Sequence, residues 1–138
     1  MTVLLPEADA AVLARRAEIV AVLRRLVSAD AVIDDVARMR PYESDALTAY
    51  RQLPLVVVLP ETTLQVAAVL RWCHENGVRV VPRGAGTSLS GGALPLGDAV
   101  LLVLSKFSRI LEIDIEDRLA VVQSGVANLA ISAAAEPH

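Results

Sequence analysis

The sequence predicts an α+β domain of the α/β sandwich kind, with helices flanking a small parallel sheet. Three observations predict it. The β-branched run Leu55-Val56-Val57-Val58-Leu59 lies between Pro54 and Pro60, the pattern of a strand buried on both faces. A helical pattern and a second apolar run, Val78 to Val81, follow it, so residues 55 to 81 read as a strand-helix-strand crossover of the parallel kind. A third apolar run, Ala99 to Leu104, lies beyond a glycine-rich segment, and two alternating stretches, Arg109 to Ile115 and Leu119 to Gln123, close the pattern.

The elements follow in order. From about Ala8 to Ser28, Val12, Leu13, Ile19, Val20, Leu23, Leu26 and Val27 recur at three and four residues with arginines between them, which predicts one amphipathic helix. Residues 30 to 52 are polar and weakly periodic, and read as a short strand or irregular segment. Thr62 and Gln65 have the spacing of a capping box for a helix that Gly77 stops. Glu116-Asp117 marks a hairpin between the two alternating strands, and Val126 to Ala135 reads as a closing helix that ends at Glu136-Pro137-His138. The division is residues 1–53, helix and connecting segment, and residues 54–138, the sheet-bearing domain.

Composition narrows the function. At 138 residues and 54% hydrophobic, the chain can bury roughly two thirds of its unfolded surface, which argues against disorder. Scattered charges and a net charge of −3 argue against nucleic acid as a partner. Cys73 is the only cysteine and His74 and His138 the only histidines, so no metal site is expected. No basic leader precedes an apolar segment at the amino terminus, and no apolar run approaches the roughly 18 residues of a membrane span, so the expectation is a cytoplasmic protein without a membrane span.

The informative segment is Pro82-Arg83-Gly84-Ala85-Gly86-Thr87-Ser88-Leu89-Ser90-Gly91-Gly92, which holds four of the seven glycines and three hydroxyl side chains. Glycines reach positive φ and let successive amide N–H groups converge on an anion, above all a phosphate. The hydroxyls add donors, and Arg83 adds a guanidinium. A glycine-rich surface turn between two strands remains the competing reading. Two phosphate motifs fail: Leu89 occupies the third glycine position of GxGxxG, and Gly92-Ala93 stand where a P-loop needs lysine and a hydroxyl residue. Cys73 and His74 point about 100° apart on a helix, so they make no nucleophile and base pair. Asp34-Asp35 and Glu116-Asp117 read as solvated turns, and Trp72 as a packing residue.

That glycine segment closely resembles the first FAD-contacting loop of the FAD-linked oxidases, the p-cresol methylhydroxylase and vanillyl-alcohol oxidase type. The run before the helix, Gly77-Val78, the strand Leu101 to Leu104, Arg109-Ile110-Leu111-Glu112-Ile113-Asp114 and Gly125-Val126 fall in the family's order, so residues 54 to 135 are covered. Arg40-Pro41-Tyr42-Glu43, Ser90-Gly91-Gly92-Ala93-Leu94-Pro95 and Asn128-Leu129-Ala130-Ile131-Ser132 place the resemblance nearest the FAD subunits of bacterial glycolate oxidases. The resemblance implies a small parallel sheet and part of a second, mixed sheet, the amino-terminal portion of an FAD-binding domain. It implies FAD as cofactor, its diphosphate held by Pro82, Arg83, Gly84, Ala85, Gly86, Thr87, Ser88, Leu89, Gly91 and Gly92, in a family whose members pass a hydride from a 2-hydroxy acid to the flavin. Ser124-Gly125 stands where relatives carry Pro-Gly, and Ser108 where asparagine is common. The family's second glycine-rich segment and substrate domain are absent, so the expectation is a fragment inactive alone, with no catalytic residue, whose partners are other glycolate oxidase-type subunits or the remainder of a split chain. The alternative is a non-catalytic nucleotide-binding or subunit-interaction protein derived from such a domain.

Overall fold

The computed structural model describes residues 5–136. The first four residues used in the leader reading, and the Pro137-His138 stop, lie outside them.

The amphipathic segment forms two helices, α1 (Ala10–Ala14) and α2 (Arg16–Leu26). Arg15 leaves helical geometry at φ −92° and ψ 5°. The break aims two arginines at backbone carbonyls elsewhere. Arg15 Nη1 donates to Asn76 O at 3.3 Å, while Arg16 donates through Nε to Leu55 O at 3.1 Å and through Nη2 to Asp34 O at 2.5 Å. Periodicity did not show this break, because the apolar positions keep helical spacing across it.

The polar stretch holds a two-residue strand, β1 (Val32–Ile33), and a single-turn helix, α3 (Val36–Met39), whose N-cap Asp35 accepts from Arg38 N at 3.0 Å. The parallel core then follows as β2 (Val56–Val58), α4 (Thr63–Glu75), β3 (Arg79–Arg83) and β4 (Ala99–Val103). Thr62 Oγ1 accepts from Gln65 N at 3.2 Å, the cap bond the spacing predicts, while Gln65 Oε1 reaches one residue further back and accepts from Glu61 N at 2.8 Å. At the other end Gly77, at φ +66°, lets Val78 N reach Cys73 O at 2.8 Å and Gly77 N reach His74 O at 3.3 Å.

Strand order is β1-β2-β4-β3, with β1 antiparallel to β2 and the other two pairings parallel. The crossover strands β2 and β3 are therefore not neighbours, since β4 lies between them. Alternate residues divide the core. Val56, Val58, Val100 and Leu102 pack with Ile19, Val20 and Leu23 of α2 and Val69 and Cys73 of α4, while Val57, Leu101 and Val103 face Ile33 and Met39. Elements on both sides of the 53/54 boundary thus share one core.

A hairpin, β5 (Ile110–Asp114) and β6 (Leu119–Val122), forms a separate antiparallel sheet with a register shift between Ile110 and Glu112, and α5 (Asn128–Ala135) follows. Gly125 joins the hairpin to the parallel sheet: its N–H donates to Phe107 O at 2.7 Å, and a Cβ there would lie 2.7 Å from Leu104 O. No helix among the described residues is long and apolar enough to cross a membrane.

Candidate functional site

The glycine segment leaves the carboxyl end of β3, the end at which open α/β sheets present ligand-binding loops. Pro82 and Arg83 are still in the strand, opposite Leu102 and Val103. No helix follows; residues 84 to 98 return to β4 as a loop. The main-chain N–H groups of Gly84, Ala85, Gly86, Thr87, Ser88 and Leu89 make no hydrogen bond among the described residues. Gly84, Ala85, Thr87 and Leu89 are exposed, and the segment 84–92 contains no carboxylate. Six successive free donors in an acid-free loop form a surface suited to an anion with several oxygens.

The second half of the loop is bound into itself. Ser88 Oγ accepts from Gly92 N at 3.2 Å and from Ser90 N at 3.4 Å, which leaves its own proton free to donate. Leu94 N donates to Gly91 O at 3.1 Å. Gly86 and Gly91 hold φ values of +77° and +80°, the left-handed region that glycine occupies at least cost.

Arg83 works from beneath. Its side chain is 9% exposed, with Nη1 donating to Ser44 O at 2.8 Å and Ala93 O at 3.1 Å, and its guanidinium carbon lies 5.9 Å from the centre of the Tyr42 ring. Burial pulls its pKa below the usual guanidinium value, with Tyr42 and Asp45 acting in the opposite direction. A Cβ on Gly86 would lie 2.2 Å from Arg83 Nη2, so the loop crosses directly over this guanidinium.

Residues outside the glycine segment complete the arrangement, and these the sequence reading missed. Asp45, 6% exposed, accepts from Gly91 N through Oδ2 at 3.0 Å and from Leu47 N through Oδ1 at 3.1 Å. Ala46 N donates to Ser88 O at 3.1 Å. The signal available was Tyr42-Glu43-Ser44-Asp45, a polar patch with no spacing of its own to tie it to a loop some 40 residues on.

The other sequence candidates are structural. Cys73 is buried, and desolvation pushes its thiol up to about 11, while His74 is exposed. Asp34 Oδ1 accepts from Arg24 at 2.8 Å, Asp35 caps α3, and Trp72 packs against the main core. A polar cavity of about 600 Å³, lined by Glu61, Thr62, Ser105, Lys106, Ser108 and Arg109, opens beyond the carboxyl ends of β2 and β4, with Lys106 Nζ 2.6 Å from Glu61 Oε1.

Comparison with known proteins matches residues 54–138 to the FAD binding domain family. The chain is 48% identical over 134 residues to the glycolate oxidase subunit GlcD of Escherichia coli strain K12, covering 97% of this chain and 26% of that protein. It is 36% identical over 104 residues to the D-lactate dehydrogenase of Anaerostipes hadrus, covering 75% of this chain and 21% of that one. Among solved structures, p-cresol methylhydroxylase with substrate bound superposes with a TM-score of 0.80 over 99% of this chain and 27% of that one, at 24% identity. The chain thus spans about a quarter of the length of the relatives it matches. A family match over more than half the chain and a shared fold agree with the loop geometry: the chain belongs to the FAD binding domain family, of the kind found in glycolate oxidase and lactate dehydrogenase-like oxidoreductases, and its cofactor is FAD.

Proposed function

We propose that the loop from Pro82 to Gly92 holds the FAD diphosphate, and that the chain is the amino-terminal cofactor-binding portion of a flavin-dependent 2-hydroxy-acid oxidoreductase with a glycolate- or lactate-like substrate. The observation that carries this is the row of six amides from Gly84 to Leu89 that find no partner among the described residues. A diphosphate needs convergent donors, no nearby free carboxylate and close backbone approach. The loop offers unpartnered donors, with the hydroxyls of Thr87 and Ser88 beside them, glycines that permit close approach, and no carboxylate of its own, while the Asp45 carboxylate that contacts it is engaged by Gly91 N and Leu47 N.

When bound, FAD supplies the hydride acceptor. The chain's own residues bind and orient: the amides of Gly84 to Leu89 grip the diphosphate, and the Arg83 guanidinium holds the loop's underside through the Ser44 and Ala93 carbonyls. The Ser88 hydroxyl accepts from Ser90 N and Gly92 N and keeps a proton that it can donate to the diphosphate. No residue of this chain is assigned a proton-transfer role. The substrate-binding groups belong to polypeptide beyond these residues, so the chain alone is inactive, and its partner is that remainder or another subunit of the glycolate oxidase type in the cytoplasm.

Support for a completing partner comes from the hairpin. Leu111, Leu119 and Val121 are exposed, and so is Leu129 on α5, a helix that buries no residue. The same surface favours the second reading, a non-catalytic nucleotide-binding or subunit-interaction protein. Light scattering after size-exclusion chromatography distinguishes them: a monodisperse, FAD-free oligomer supports the interaction reading.

Titration of the purified chain with FAD tests the proposal. With much of the cofactor surface missing, binding is expected in the micromolar range or weaker, since each 1.4 kcal/mol lost weakens affinity about tenfold. A nanomolar complex contradicts the incomplete-site reading, and the absence of any binding contradicts the assignment of the loop.

A further inference from the structure

Asp45 lies nine residues before the family match begins at residue 54, yet it is one of three buried polar or charged side chains among the described residues and contacts the glycine loop. We propose that residues 42–47 are a clamp for the FAD site and that Asp45 is its positioning residue, fixing the loop before the cofactor arrives. The proposal rests on the assignment of the diphosphate to Gly84–Leu89.

The contacts fall on both sides of those free amides. On the far side, Asp45 Oδ2 takes the Gly91 N–H at 3.0 Å, and Ala46 N donates to Ser88 O at 3.1 Å. On the near side, Ser44 O takes the Arg83 guanidinium at 2.8 Å, directly under Gly86. The strand of free donors is therefore anchored at Arg83, Ser88 and Gly91 by three consecutive residues, Ser44, Asp45 and Ala46. Asp45 Oδ1 meanwhile accepts from Leu47 N, so the carboxylate is itself held in orientation.

The physical need is clear. A loop with glycines at 84, 86, 91 and 92 has a large conformational entropy to lose, and binding from a disordered loop would pay that loss out of affinity. A carboxylate acceptor makes a stronger hydrogen bond to an amide than a neutral one does. Its charge is also opposite to that of Arg83, whose guanidinium it favours.

The test uses the full chain with Asp45→Ala and Asp45→Asn, measuring FAD affinity by flavin fluorescence and amide hydrogen exchange of the FAD-free protein. For Asp45→Ala the expected result is FAD binding weaker by about tenfold or more, with faster exchange at Ser88 to Gly92 and unchanged protection in α2, α4 and β4. Asp45→Asn, which keeps one acceptor oxygen, is expected to recover part of both. Unchanged loop exchange in Asp45→Ala overturns the clamp, as does unchanged FAD affinity when the parent chain binds FAD. Loss of protection throughout the core shows a general folding role and also overturns it. A parent chain that does not bind FAD at all contradicts the functional reading, while the exchange measurement still decides the clamp.

Discussion

At Gly86 two constraints coincide, a φ of +77° and an added Cβ only 2.2 Å from the Arg83 guanidinium. Gly84, two residues earlier in the same motif, has neither: its φ is not positive and nothing lies within 4 Å of an added Cβ. Gly86→Val is therefore expected to weaken FAD binding at least about tenfold, whereas Gly84→Ala leaves the fold intact with a melting temperature close to the parent's. Titration and thermal melting of the pair check this. Asp98 gives the pH prediction. It is 1% exposed, and burial alone would raise its pKa, but the hydrogen bonds from Arg79 and the Asp9 amide, with the Arg79 charge, outweigh that and lower it below the ordinary 3.8. A lowered carboxyl pKa contributes stability above 3.8 that is lost as pH falls through the lower folded value. Because Arg79 is 42% exposed, solvent screens part of its effect and the contribution is modest. Urea melts from pH 6 to pH 2 should show an acid limb that Asp98→Asn flattens; an identical limb in the variant contradicts the assignment. That residues 84–92 form a glycine loop was legible because glycine and hydroxyl composition mark it locally. Asp45 and Asp98 were not, since their partners lie 46 and 89 residues away in sequence.

Among the elements, α4 was the most legible, because both its ends carry local chemistry. Thr62→Ala removes the Gln65 amide's acceptor and is expected to cost about 1 kcal/mol in thermal or urea unfolding, with FAD binding unchanged. The junction at Gly125 was read as part of the family's order and of a Ser-Gly pair standing where relatives carry Pro-Gly, with no constraint assigned to it. The structure shows the tighter constraint: three carbonyl oxygens, of Leu104, Phe107 and Ser105, lie within 3.1 Å of where a Cβ would sit. Gly125→Ala is expected to cost about 2 kcal/mol, concentrated in the hairpin, with faster hydrogen exchange in β5 and β6 than in β4. The one-helix reading of residues 8 to 28 failed at Arg15 for a tertiary reason. The side chains that stop the helix reach Asn76, Leu55 and Asp34, and none of those bonds leaves a mark on hydrophobic periodicity.

Over the whole molecule, the parallel arrangement was legible because buried parallel strands leave continuous apolar runs. The strand order was not. Inserting β4 between β2 and β3 is decided by how the 15-residue glycine loop returns to the sheet, and loop composition does not encode that route. The consequence is functional: placing β3 at the sheet edge leaves its carboxyl-end loop open on one side and lets residues 42–47 close on the other. The most direct measurement is an amide NMR titration of the chain with FAD and, separately, with riboflavin, which has the flavin ring and no diphosphate. FAD should shift the amide resonances of Gly84 to Leu89 and riboflavin should leave them in place. Equal shifts with both ligands, or FAD shifts confined to another part of the molecule, would contradict the diphosphate site.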